Sequence, residues 1–387
     1  MRDASPASLC PDTSGGSLLH WLALRRGPIT ARTLAAAYLL SAAIVYLPLL
    51  LAAWFGRVPF WGASDAKTLP FLNDWGLCFA LLVSFPTLVL LLITDEALLV
   101  TSVEQVQADG VFAIGDDAAE AVNIDWGKRF RRWNIRGELF AIGLGIALGV
   151  LTYLPQRWNP GASWIAPKAG QNVAGYAYLY SITLLYVLVT FYIIRCITVS
   201  RFLADLVRRA PLQILPLHPD KCGGLRPVGR LGLRNQYTLT VLGLNIVLLL
   251  LVWRLRPEGN AGVSTVMIGA TIAYLIFGPV VFMAPLLPFR DGMTQAKSRW
   301  MREVAQLVRR ELERLHANIQ TGQVTRADEE SLERLQKIGA VIDELPVWPF
   351  DARTLRRFAT AYLVPVIASL AGTLVTDLGQ RLFTFHH

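Results

Sequence analysis

Apolar residues in this chain come in long unbroken blocks rather than alternating with polar ones. A bilayer core of roughly 30 Å takes about 20 apolar residues as a helix. Six blocks meet that length: Leu34–Phe55, Gly76–Thr94, Leu139–Pro155, Tyr176–Ile194, Tyr237–Trp253 and Val263–Leu287. A seventh, Phe358–Val375, carries no charge but is interrupted by Pro365. The pattern predicts an all-α polytopic membrane protein of about seven spans.

A different rhythm runs through 291–345. Met301, Val304, Val308, Leu312, Leu315 and Ile319 recur at steps of three or four. After Thr321-Gly322-Gln323 the rhythm returns at Leu332, Leu335, Ile338, Ile342 and Leu345. Two amphipathic helices folded into an antiparallel hairpin are expected, ended by Pro346 and Pro349. Their stripes serve either each other or a neighbouring subunit. The chain therefore divides into an N-terminal segment 1–33 with an interfacial helix near 17–26, a six-helix region 34–290 with connecting segments 95–138 and 195–236, the hairpin 291–345, and a C-terminal membrane segment 346–387.

Charge gives the orientation. Only 17% of the residues are charged, the net charge is +9 and the mean hydropathy is +0.43. With the N-terminus in the cytoplasm, the inner segments 1–33, 95–138, 195–236 and 288–357 hold 30 of the 37 Lys and Arg. That bias is the positive-inside rule, and it accounts for the basic charge without nucleic acid. Trp54, Trp61, Trp75, Trp158, Trp164 and Trp253 fall at the outer ends of spans, as an interfacial belt. The stretch 126–136 interleaves Trp126, Phe130 and Trp133 with five cations. Lying just before the third span, it suits anionic lipid better than a single nucleic-acid strand. The polar start, residues 1–16, is not a signal peptide.

No ionisable side chain lies near the centre of a span, which argues against proton-coupled transport. An oligomeric conduit lined by hydroxyls and backbone needs no buried charge. Its candidate lining is Ser84, Thr87, Thr183, Thr190 and Asn245, with Ser181 beside them. The plainer alternative is that the hydroxyls bond to their own helices and Asn245 ties two helices together. Gly145–Gly149, Gly269–Ala273 and Ala368–Gly372 are small-residue pairs at helix-packing spacing. Pro48, Pro86, Pro279 and Pro365 mark kinks.

The densest motif is "LPLHPDKCGGLRPVG", 215–229. His218-Pro219-Asp220-Lys221 matches the J-domain tetrapeptide, but Pro211 and Pro216 break the helix that a J-domain runs into it. His218, Asp220 and Cys222 are three alternating ligand types, whereas a closed zinc site takes four. No metal or other cofactor is expected. The remaining reading is a stiff corner: His218, Pro219 and Asp220 shape it, Asp220 bonding amides beyond itself, and Gly223 and Gly224 supply positive φ. Behind it, Arg226, Arg230 and Arg234 fall four apart on one helix face. With Arg208 and Arg209 they are candidates for gripping an anion or a phospholipid head group.

Pro216, His218, Pro219, Asp220, Gly223, Gly224, Leu225 and Gly229 resemble the P-x-HPD-x-x-GGL-x-x-x-G loop of a family of bacterial polytopic membrane proteins of uncharacterised function. "LPVWPFD" at 345–351 is similar to a second feature of that family. The resemblance covers 176–375 and implies a shared architecture in the bacterial inner membrane, not an activity. Arg226 and Pro227 depart from its apolar position after GGL. The expected partners are the bilayer, its anionic phospholipids and further copies of the chain. The function expected from the residues is an oligomeric channel or pore-like conduit gated from the cytoplasm by an anionic ligand or lipid; the alternatives are a non-conducting signalling or scaffold protein and a lipid-modifying enzyme using His218 and Asp220.

Overall fold

The computed structural model describes residues 9–11, 30–61, 70–158, 164–165, 173–210, 212–215, 218–220, 222–254, 261–320 and 326–350, with single positions between 355 and 367. The interfacial segment 17–26, most of Phe358–Val375 and the Ala368–Gly372 pair lie outside the described residues.

The described chain is helical. α1 (Ala31–Phe55) opens on a reciprocal cap: Thr30 Oγ1 accepts from the Thr33 amide, and Thr33 Oγ1 accepts from the Thr30 amide. α2 (Trp75–Ala108) opens on Asp74, which accepts from the Leu77 amide. α3 (Asp116–Trp158) begins with Asp116 and Asp117 in its first turn, and α4 (Val173–Arg209) ends on Arg208 and Arg209. Both placements suit the helix dipole. α5 (Arg226–Arg254), α6 (Ala261–Met283), α7 (Leu287–Gln320) and α8 (Arg326–Asp343) follow. One antiparallel bridge, Phe112 with Leu212, joins the α2–α3 turn to the chain after α4.

Among the described residues four helices are long and apolar enough to cross a bilayer, namely α1, α2, α3 over Asp116–Leu154, and α4. Helices α5 and α6 run through the fifth and sixth expected spans. The outer surfaces of α1 and α3 suit hydrocarbon: Leu39, Leu40, Leu139, Phe140 and Leu151 stand exposed on the outside of the bundle. The segments 95–138 and 195–236 prove to be largely helix, because α2, α3 and α4 extend well beyond their apolar parts. At 1.5 Å per residue α3 is about 65 Å long, roughly twice the thickness of a hydrocarbon core.

Helices α3 and α4 form the longest pairing, and glycine sets it. A side chain at Gly137 would press on Ile194, one at Gly145 on the Val187 backbone, and one at Gly149 on Thr183. Residue numbers rise along α3 as they fall along α4, so the pair is antiparallel and in close contact at three levels. Gly269, by contrast, faces open space.

The bundle holds two hydrophobic cores. The core at the apolar end gathers Val45, Leu49, Phe71, Leu81, Trp164 and Tyr178. Trp164 differs here from an interfacial residue: it is buried, its ring meets Phe71 edge-on at 4.9 Å, and its indole donates to Asp74 at 3.4 Å. Trp54, Trp61 and Trp75 are exposed. The core at the basic end gathers Leu99, Val106, Val122, Phe130, Phe202 and Phe289. Trp126 and Phe130 belong to it and do not face lipid. They pack on Phe202, while Arg129 and Arg195 lie over their outer faces at 5.1 and 5.2 Å.

The hairpin forms as α7 and α8. Lys297 pairs with Asp343 at 3.3 Å, Ser331 donates to Glu311 at 2.7 Å, and Val304 faces Gly339.

Candidate functional site at the basic end of the bundle

The corner between α4 and α5 is built on one carboxylate. Asp220 Oδ1 accepts from the amides of Cys222 at 2.8 Å and Gly224 at 3.1 Å, and Oδ2 accepts from the Arg226 amide at 3.1 Å. Asp220 thus closes the turn and caps α5 together. His218 Nδ1 lies 2.8 Å from Asp220 Oδ1 and 3.4 Å from the Asp220 amide nitrogen, and its Nε2 faces Asp109 at 3.7 Å. Burial pushes the Asp220 carboxyl up, but the three amides and the His218 ring outweigh it and hold it below the usual carboxylate range. Gly223 and Gly224 have φ of +67° and +88°, and side chains there would strike Ile214 and Val111. Pro219 lies within the turn. The corner is clamped onto the α2–α3 turn, where the Gln213 amide donates to the Val111 carbonyl at 2.7 Å. Gly229, one helical turn on, lies against the Pro349 carbonyl, which brings the 345–351 motif onto the loop motif.

Arg226, Arg230 and Arg234 do not act as one face. Arg226 and Arg230 are exposed, whereas Arg234 is buried. Its Nη1 pairs with Asp95 at 3.1 Å and its Nη2 donates to Thr94 at 3.2 Å. Arg195 reaches the other oxygen of the same carboxylate at 2.8 Å. One Asp on α2 thereby holds an Arg from α4 and an Arg from α5. Below this triad Thr238 donates to the Tyr192 hydroxyl at 2.8 Å, and that hydroxyl donates to Asn235 at 3.0 Å. Asn235 in turn donates to the Val281 carbonyl at 3.2 Å. Sequence spacing missed this network. Its signal was three charges, Asp95, Arg195 and Arg234, at the same ends of three spans.

Arg209 is also engaged, with Asp125 at 2.9 Å and Asp205 at 2.8 Å. Arg208 is exposed and lines a cleft of about 510 Å³ between the end of α4 and the start of α7. Arg299, Gln295 and Asp291 share that cleft, over a floor of Leu212, Leu287 and Pro288. Neither Arg208 nor Arg299 has an ion-pair partner among the described residues. Among the same residues no cluster of three or more His, Cys, Asp or Glu could hold a metal. Both Asp220 oxygens are already committed to amides.

Of the polar residues of the spans, Asn245 and Ser181 bond to another helix. Asn245 donates to the Gly76 carbonyl at 3.0 Å, where a side chain at Gly76 would meet the Leu249 backbone. Ser181 donates to the Val45 carbonyl at 2.7 Å, and Thr183 sits against Gly149. Thr87 is half-buried and Thr190 is buried. Ser84 is buried in a π turn, Ala80–Ser84, and its hydroxyl has no hydrogen-bond partner among the described residues. These contacts describe a helical bundle, with four helices long and apolar enough to cross a membrane, whose basic end is locked by side-chain networks. Compared with protein-family models, curated proteins and solved structures, the chain matches none.

Proposed function

We propose that the chain is a seven-span protein of the bacterial inner membrane, with its N-terminus in the cytoplasm. It works there as a non-conducting scaffold or signalling element, and its cytoplasmic cleft binds anionic phospholipid head groups. It assembles as a homo-oligomer and belongs with the polytopic family its loop motif resembles. The observation that carries this reading is the cleft. Arg208 and Arg299 come from two different helices, lack carboxylate partners among the described residues, and flank an apolar floor where α7 begins. A phosphate at the membrane surface supplies the missing charge, and its acyl chain suits the Leu287 and Pro288 side. Each arginine near an anionic surface contributes about 1 kcal/mol. Exposed Arg226 and Arg230 add to the same field.

The test is thermal unfolding in nanodiscs of phosphatidylglycerol or of phosphatidylcholine. A ligand at 100 times its Kd stabilises by about 2.7 kcal/mol. The wild type is expected to melt higher in the anionic discs, and Arg208→Glu with Arg299→Glu is expected to lose that increment. An equal increment in the double variant removes the cleft from the reading.

The conduit remains the second reading, favoured by the buried unpartnered Ser84 hydroxyl in its π turn, a feature often found at functional sites. Flux assays in liposomes separate the two. Conductance that falls in Ser84→Ala would replace the scaffold reading.

A further inference from the structure

α7 carries an apolar face that its hairpin partner does not cover. Met301, Ala305, Val308, Leu312, Leu315 and Ile319 recur at alternating steps of four and three. α8 covers one flank of this stripe, through Val304 and Glu311. Among the described residues the other side is open: Met301 is 37%, Leu312 47% and Ile319 56% exposed. A groove of about 570 Å³ runs along it, lined by Ala305, Val308, Arg309, Leu312, Glu313 and His316. Ala305, Val308, Arg309 and Leu312 sit at i, i+3, i+4 and i+7. Those are the four corners of a hole that accepts a knob from a facing helix.

We infer that this face of α7 pairs antiparallel with α7 of a second copy of the chain, about a two-fold axis near Arg310. Three observations select that occupant. The alternating steps read the same in both directions about residue 310, so Met301 meets Ile319 of the second copy and Val308 meets Leu312. The open flank carries both signs, Arg309 and Glu313, now paired with each other within the helix at 3.0 Å. A two-fold antiparallel pair sets open flank against open flank, so each Arg309 lies beside Glu313 of the other copy. A parallel pair would set it against the flank that α8 occupies. An anionic membrane surface suits the face less well, because Glu313 lines the groove beside its apolar floor.

This deepens the homo-oligomer reading and does not depend on the lipid cleft. The full-length protein is tested in nanodiscs and in native membranes. Arg309→Cys in one tagged copy and Glu313→Cys in a differently tagged copy are co-expressed and treated with a short bis-maleimide. A cross-link carrying both tags is expected, with loss of most of its yield when Leu312→Asp is added to both copies. In single-molecule counting, Arg309→Glu and Glu313→Arg each lower the dimer fraction several-fold. The double reversal restores it, and these surface changes leave the hairpin intact. A wild-type monomer overturns both the oligomer reading and this face. An oligomer untouched by Leu312→Asp and by the reversals overturns this face alone. Quenching of a label at Leu312→Cys by brominated lipid also overturns it, since the stripe would then lie on the bilayer.

Discussion

Asp95→Asn removes a carboxylate shared by Arg195 and Arg234. Both guanidiniums are buried, at 2.8 and 3.1 Å from its two oxygens. At about 3 Å and an effective dielectric near 20, each attraction is roughly 5 kcal/mol before desolvation. Desolvation of three charged groups consumes most of that, so the intact triad contributes little net stability. The truncated one is different. Two like charges remain buried without the carboxylate they shared, and breaking such a pair costs about 3–5 kcal/mol. For a chain of 387 residues each kcal/mol lowers Tm by about 1.2 °C, so Asp95→Asn should melt about 4–6 °C below wild type. Cys10 and Cys222 are buried, Cys78 and Cys196 half-buried, and all four are free thiols. A thiol-reactive fluorophore therefore reports unfolding directly. Asp95→Leu with Arg195→Met and Arg234→Met removes the charges together and should recover to within about 3 °C of wild type, because an apolar replacement of a whole buried ion cluster is close to neutral. If Asp95→Asn melts with the wild type, the arginines are solvated in the native protein. The triad would then not be the lock between α2, α4 and α5.

Three other perturbations have defined outcomes. Asp220→Asn replaces an anionic acceptor of three amides and should cost about 2 kcal/mol at pH 7. The Asp220 carboxyl titrates lower folded than unfolded, where it titrates near 3.9. The native state thus binds fewer protons, and this stabilisation is present above that value and lost as pH falls through the folded one. The Tm gap between wild type and Asp220→Asn should narrow as pH drops below about 4; a constant gap would mean that charge is not the cause. Gly145→Val forces α3 off the Val187 backbone, at about 1–3 kcal/mol, and should lower Tm more than Gly269→Val, which meets open space. Tyr38→Phe removes the 2.7 Å bond to the Leu82 carbonyl, at about 1 kcal/mol. In a Pro86→Ala background the new amide takes that carbonyl, so the cost of Tyr38→Phe should shrink. Equal costs in both backgrounds would break the link to proline.

Long apolar blocks, hairpin rhythm and turn chemistry were legible because each is local. Asp220 followed by Cys222, Gly223 and Gly224 announces its own turn, and the structure contains it. The Arg226, Arg230 and Arg234 face was misleading for a physical reason. A helix face has one sequence period but different surroundings along its length. Two turns after the corner, about 12 Å on, the same face has left the surface and meets Asp95 of α2. The aromatic and basic stretch 126–136 misled in the opposite way. Its cations drew attention to a membrane surface, while Ala119, Val122, Trp126 and Phe130 continue one buried stripe at steps of three and four. The stripe decides the packing, and the arginines then cover its rings.

The prolines carry the case for a fixed bundle. Each proline within a helix leaves the carbonyl four residues earlier without its usual donor. In an apolar interior an unpaired carbonyl costs several kcal/mol. Pro86 frees the Leu82 carbonyl, which takes the Tyr38 hydroxyl from α1 at 2.7 Å. Pro279 frees that of Leu275, which takes the Tyr362 hydroxyl at 2.6 Å. At these two positions the carbonyl left by proline is taken by a side chain from elsewhere in the fold. A proline kink that served as a gate would have to swing about that carbonyl and break the repair each time it opened. At Pro86 and Pro279 the kinks are stitched to their neighbours, which favours a frame that holds its shape, the property the proposed scaffold needs.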